Sequence, residues 1–150
     1  MPIYKGVQEP IIKVLKTIPE IHGEDGFGNQ QDKYIDKANL ELIKEDNAVL
    51  AIINHVNEEY KQGHKVCLAT IGPLTNLALA IKLDSSLPSK ISRYYCMGGT
   101  VNAWGNMDFS TEFNFMCDPE AAFIVYSKMP YIHLNPWETC ELCKINPDNV

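Results

Sequence analysis

The sequence predicts an α/β domain built on an open, mainly parallel sheet flanked by helices. Two short and nearly continuous apolar runs, residues 65–71 and 91–97, read as strands of a parallel sheet, which are buried on both faces and so need not alternate. Apolar residues at helical spacing precede and separate them, over 49–60 and 77–83. Strand, helix, strand, loop, helix, strand is the rhythm of right-handed βαβ units, whose strands lie parallel.

Taken in order, Ile3 and Tyr4 start the chain as a short strand, followed by a Pro-punctuated apolar stretch from Ile11 to Leu15. His22-Gly23-Glu24-Asp25-Gly26-Phe27-Gly28-Asn29 is a loop whose glycines permit positive-φ turns and close backbone approach. Plain turn chemistry accounts for it, and His22 beside it is a candidate ligand contact. Neither a G-x-G-x-x-G nor a Walker pattern is present, so phosphate cradling has no support. Residues 30–45 are polar and charged and read as a loosely ordered connection. A helix is expected from Asp46, with Val49, Leu50, Ile52, Ile53, Val56 and Tyr60 on its inner stripe. Glu58, Glu59 and Lys61 lie on its wet side, His55 reads as a structural residue, and Gly63 ends it. After the strand at 65–71, Gly72-Pro73-Leu74 turns the chain and Thr75-Asn76 opens a helix holding Leu77, Leu79, Ile81 and Leu83 inside. Residues 85–88 break it, and the strand at 91–97 closes on Gly98-Gly99. Asp118-Pro119-Glu120 is a helix start, with an Asp cap and Pro in the first turn. Tyr131 to Leu134 reads as a third strand, and the tail after Asn135 as irregular.

A length of 150 residues, 45% of them hydrophobic, suffices for one ordinary core. The net charge of -6 argues against nucleic-acid binding. No run approaches a membrane span, and the residues after Met1 lack the apolar stretch of a signal peptide. Five cysteines with no regular framework suggest a reducing compartment, hence a cytoplasmic protein. Cys67 and Cys96 read as small buried hydrophobes. Cys140 and Cys143 form a lone C-x-x-C without the second ligand pair a metal site needs.

The candidate site lies between Gly105 and Glu120. Glu112, Phe113, Asn114 and Phe115 alternate polar and aromatic, so an extended segment would put Glu112 and Asn114 on one face and bury both rings on the other. Asn106 stands close behind across a short polar loop. Such a trio is either an ordinary surface loop or a set of hydrogen-bonding partners for a small polyhydroxylated ligand. Ligands of open α/β sheets lie beyond the carboxyl ends of the strands, which is where the trio falls.

Ile71-Gly72-Pro73-Leu74-Thr75-Asn76-Leu77-Ala78, Met97-Gly98-Gly99, Gly105-Asn106, Glu112-Phe113-Asn114 and Asp118-Pro119-Glu120-Ala121-Ala122, in this order, resemble the inosine–uridine preferring nucleoside hydrolases. His22-Gly23-Glu24-Asp25-Gly26-Phe27-Gly28 fits as well. The resemblance implies a Rossmann-like fold and hydrolysis of the N-glycosidic bond of a ribonucleoside to ribose and free base, through an oxocarbenium-like transition state. It implies a Ca²⁺ cofactor, with the backbone carbonyl of Ile71 as a ligand. Asn106, Glu112 and Asn114 would bind the ribose, and His22 would sit on a loop closing over substrate. Ribonucleoside substrates, and a homo-oligomer or a full-length homologue as protein partner, are implied too, with no nucleic acid and no membrane.

Two family features are missing from the sequence: the opening D-x-D-x-G-x-D-D cluster that holds the metal and supplies the base, and a downstream His-Asp pair. Residues 1–150 therefore read as a partial nucleoside hydrolase domain, truncated at both ends and leaving a sheet edge open. No catalytic residue is expected in it, and little activity from these residues alone. The alternative is a non-catalytic ribose-binding or subunit-interaction protein.

Overall fold

Strand β4 (Ile91–Met97) runs between β3 (Val66–Thr70) and β5 (His133–Asn135) in a sheet whose neighbours are all parallel. The computed structural model describes residues 1–34 and 40–143. Leu68 pairs with Tyr94, and Tyr95 with His133. Ile71, Met97 and Asn135 therefore reach the same edge of the sheet.

Helices α3 (Ala48–Lys61), α4 (Thr75–Leu83) and α7 (Pro119–Lys128) pack on one face, around Val49, Val56, Leu74, Leu77, Ala80, Ile81, Val125 and the inward Tyr94 and Cys96. Each fully buried aliphatic side chain contributes about 2 kcal/mol here. Cys67, Ala69, Arg93, Tyr95 and His133 line the other face and are exposed. Residues 66–70 are thus half-buried in alternation, not buried throughout, because the described helices cover only the first face. Cys96 is the buried hydrophobe expected, whereas Cys67 faces outward. Leu83, expected inside, is exposed at the end of α4.

A second pair, β1 (Ile3–Lys5) with β2 (Ile43–Asn47), is also parallel, Ile3 facing Ile43. The connection expected over 30–45 is therefore partly ordered; besides β2 it contains the short helix α2 (Gln31–Tyr34) and a 3₁₀ turn (Leu40–Leu42). Residues 35–39 of that stretch lie outside the described residues. Every residue of β2 is exposed, so no alternation of apolar residues could announce it. The α3 helix, expected from Asp46, begins two residues later at Ala48, where Asn47 caps it, its Oδ1 accepting from the Leu50 amide at 3.0 Å. Asp118 caps α7 as expected. The tail after Asn135 is not irregular throughout, since α8 (Trp137–Leu142) starts there behind Pro136. The remaining helices are short turns: α1 (Pro19–His22), α5 (Leu87–Lys90) and α6 (Phe113–Cys117).

Asp84, just after α4, joins three elements. Its carboxylate accepts from Asn57 Nδ2 of α3 at 3.0 Å, Lys90 Nζ of α5 at 3.2 Å, and the amide and hydroxyl of Ser86. The Ser86 hydroxyl, then Asn57, hold the carboxyl well below the usual carboxylate range. A depressed folded-state pKa stabilises above the unfolded value, and that contribution fades as pH falls toward the folded one. Asp84→Asn is expected to remove about 1 kcal/mol at neutral pH. The gap to wild type in denaturant midpoint should close as pH is lowered, and a gap independent of pH would refute the assignment.

Candidate functional site

Past Met97 the chain turns away from the sheet over the ring of Phe115. A Cβ on Gly99 would lie 2.9 Å from that ring, with φ at +68°, and one on Gly98 would come within 2.7 Å. Only glycine suits both demands at residue 99. Gly99→Ala is expected to lose about 2 kcal/mol in equilibrium unfolding; an unchanged midpoint would contradict this close packing.

Residues 113–115 are helical, not extended. Glu112 is the N-cap of α6: Oε1 accepts from the Asn114 amide at 2.8 Å and Oε2 from the Phe115 amide at 3.0 Å. Asn106 Oδ1 takes the Phe113 amide at 2.9 Å. All three opening amides of α6 thus have side-chain acceptors, which favours a helical turn over a strand. Phe115 packs against the core as expected, whereas Phe113 turns toward His22, ring centroids 5.8 Å apart and edge-on.

Helical or not, the trio converges on the mouth of β4. Glu112 Oε2 also accepts from the Gly99 amide at 2.8 Å, and Asn114 Nδ2 donates to the Met97 carbonyl at 3.3 Å and contacts its sulfur at 3.1 Å. Glu112 is 2% exposed and Asn114 8%. Asn106 is half-buried in a loop held by Asp108, whose Oδ1 accepts from the Ser110 and Thr111 amides. Among the described residues, Asn106 Nδ2 and Asn114 Oδ1 keep no protein hydrogen bond, so one amide NH₂ and one carbonyl oxygen remain for a ligand.

His22, exposed at the end of α1, and Phe113 line a cavity of about 180 Å³ with Ile18, Gly23 and Gly26. The loop after His22 is gathered by Asp25, which accepts from the amides of Phe27, Asn29 and Gln31 at 2.7–2.8 Å. These bonds, the Phe27 amide first, hold the Asp25 carboxyl below its ordinary range. Ile71 lies apart from His22, in a cavity of about 390 Å³ at the strand ends with Thr70, Met97, His133 and Asn135. No carboxylate lines that cavity, and no group of three or more His, Cys, Asp or Glu among the described residues is placed to hold a metal. Hard divalent cations need several oxygen ligands, usually carboxylates, so the described residues do not fit a Ca²⁺ site around Ile71.

Glu138, not among the candidate site residues read from the sequence, is 8% exposed and accepts from the amides of Val101 and Asn102. The only signal was an acidic residue just behind a Pro, ordinary for a first helical turn.

The family model of the inosine-uridine preferring nucleoside hydrolases matches residues 1–150. The chain is 35% identical over 128 residues to the probable uridine nucleosidase 2 of Oryza sativa subsp. japonica, covering 85% of this chain and 36% of that protein. It is 31% identical over 127 residues to the pyrimidine-specific ribonucleoside hydrolase RihB of Escherichia coli O139:H28, covering 85% and 38%. A solved plant nucleoside hydrolase superposes with a TM-score of 0.77 at 27% identity over 92% of this chain and 42% of that one. An inosine-guanosine nucleoside hydrolase does so at 0.76 and 29% over 91% and 43%. The chain spans less than half the length of each of these four proteins. The same Rossmann-like layering, and a sequence match running the full length of the chain, make it a member of the inosine-uridine preferring nucleoside hydrolase family.

Proposed function

We propose that residues 1–150 form the ribose-facing part of a hydrolase that splits the N-glycosidic bond of ribonucleosides into ribose and free base. The observation that supports this most is the gathering of Asn106, Glu112 and Asn114 around Met97–Gly99, where an open α/β sheet takes its ligand. Asn114 Oδ1 and Asn106 Nδ2 serve sugar hydroxyls. The Glu112 carboxylate is a fixed negative charge in a water-poor setting, where it favours the cationic ring of an oxocarbenium-like transition state. His22 and Phe113 close one side of the sugar. Ile71 contributes a carbonyl to a metal only if carboxylates from beyond the described residues complete the set. The five free cysteines support the reading of a reducing compartment such as the cytoplasm. No helix among the described residues is long and apolar enough to cross a membrane.

The described residues also contain no group of three or more His, Cys, Asp or Glu placed to hold a metal that would activate water, which supports the reading that these 150 residues alone bind the sugar without efficient turnover. Calorimetry with ribose and inosine, beside a hydrolysis assay with added Ca²⁺, tests both parts. Weak binding to each and no turnover is expected. Absence of ribose binding would overturn the sugar-facing assignment, and ordinary turnover would overturn the inactivity.

A further inference from the structure

We propose that Glu138 is a positioning residue: it fixes the loop at the mouth of β4 and, through Gly99, holds the Glu112 carboxylate toward the sugar. The sugar-facing part of this rests on the function proposed above.

Beyond the contact of Gly98 and Gly99 with Phe115, residues 100–104 have little packing of their own. Val101 is 66% exposed and Trp104 59%, and Ala103 holds a φ of +57°, an uncommon conformation for a residue with a Cβ. Hydrogen bonds must therefore fix the loop. Glu138 Oε1 accepts from the Asn102 amide at 2.8 Å and the Val101 amide at 3.1 Å, and Oε2 lies 3.3 Å from the latter. The Trp137 amide donates to the Gly99 carbonyl at 3.0 Å, and the Gly98 amide to the Asn135 carbonyl at 3.2 Å. On the opposite side, the Gly99 amide goes to Glu112. One short loop is thus strung between two nearly buried carboxylates, and Gly99, through its own amide and carbonyl, joins α6 to α8. Burial pushes the Glu138 carboxyl up, but its own amide and those of Asn102, Val101 and Trp104 outweigh burial and hold it below its ordinary range. Its charge is therefore present at neutral pH, and charge-assisted bonds to amides are the stronger kind.

Glu138→Gln keeps the shape and removes the charge. In the ¹⁵N-labelled chain it should shift the Val101 and Asn102 amide resonances and carry the Gly99 amide with them. Ribose affinity should fall about tenfold, while Glu58→Gln on the exposed side of α3 changes none of these. Movement of Val101 and Asn102 with Gly99 unmoved would reduce Glu138 to a local cap and overturn the proposal. So would a moved Gly99 amide with ribose affinity intact. Were the wild-type chain not to bind ribose at all, the sugar-facing assignment would fall, and the Gly99 resonance alone would decide whether Glu138 sets Glu112. Should Glu138→Gln not fold, Glu138→Asp, which retracts the charge by one methylene, is read in the same way.

Discussion

Asp118→Ala is expected to destabilise the fold by about 4 kcal/mol, a large share of what a domain this size possesses. The side chain is fully buried, and one carboxylate serves three donors from separate parts of the chain. The Ala121 amide of its own helix lies at 3.0 Å, the Thr75 hydroxyl at the start of α4 at 2.6 Å, and the Ile11 amide of the N-terminal segment at 3.0 Å. Alanine strands the Thr75 hydroxyl and the Ala121 amide in the interior, where each unpaired donor costs about 1–3 kcal/mol before relaxation, and breaks the part-buried bond from the Ile11 amide as well. Asp118→Asn should lose about half as much. Its oxygen keeps the cap and the hydroxyl of Thr75 rotates to accept, but its NH₂ then faces the Ile11 amide, donor against donor. Thr75→Val removes only the hydroxyl and should lose about 1 kcal/mol. Denaturant unfolding of the three variants gives the order, and equal midpoints would show that Asp118 does not join these elements.

Glu112→Ala should be nearly as damaging, at about 3 kcal/mol, and should also abolish ribose binding. Its carboxylate holds the Gly99, Asn114 and Phe115 amides, so its loss frees the loop after β4 and the first turn of α6 together. Glu112→Gln separates the two effects. One oxygen still takes an amide, which limits the stability loss to about 1.5 kcal/mol, yet the negative charge is gone. Calorimetry on the folded fraction should then find ribose bound with the affinity lowered about tenfold. Unaltered affinity in Glu112→Gln would show that the carboxylate serves the backbone and not the sugar.

The parallel sheet and its core were legible because apolar runs and helical stripes are long enough to carry a period. The strand Ile91–Met97, the Asp118-Pro119 cap of α7, and the stripe ending at Gly63 all follow from local chemistry. β2 was not legible, since its pairing with β1 uses only backbone groups and its side chains stay in water. Nor was the helical turn at Phe113. The E-F-N-F alternation fits a strand, and the turn forms because Asn106, seven residues away, and Glu112 itself satisfy its amides. The position of the trio was readable from residue types and strand order. Its commitment to the backbone was not, because that depends on the close passage of Gly99, which only the folded chain reveals.

That commitment shapes how the pocket meets a guest. Asn106, Glu112 and Asn114 are fastened to main-chain groups before any sugar arrives, so the entropy of ordering them is surrendered during folding and not on association. Recognition and foldedness are consequently entangled at these positions. A weakened variant will look unstable before it looks unselective, and only measurements made well below its melting temperature can tell the two apart.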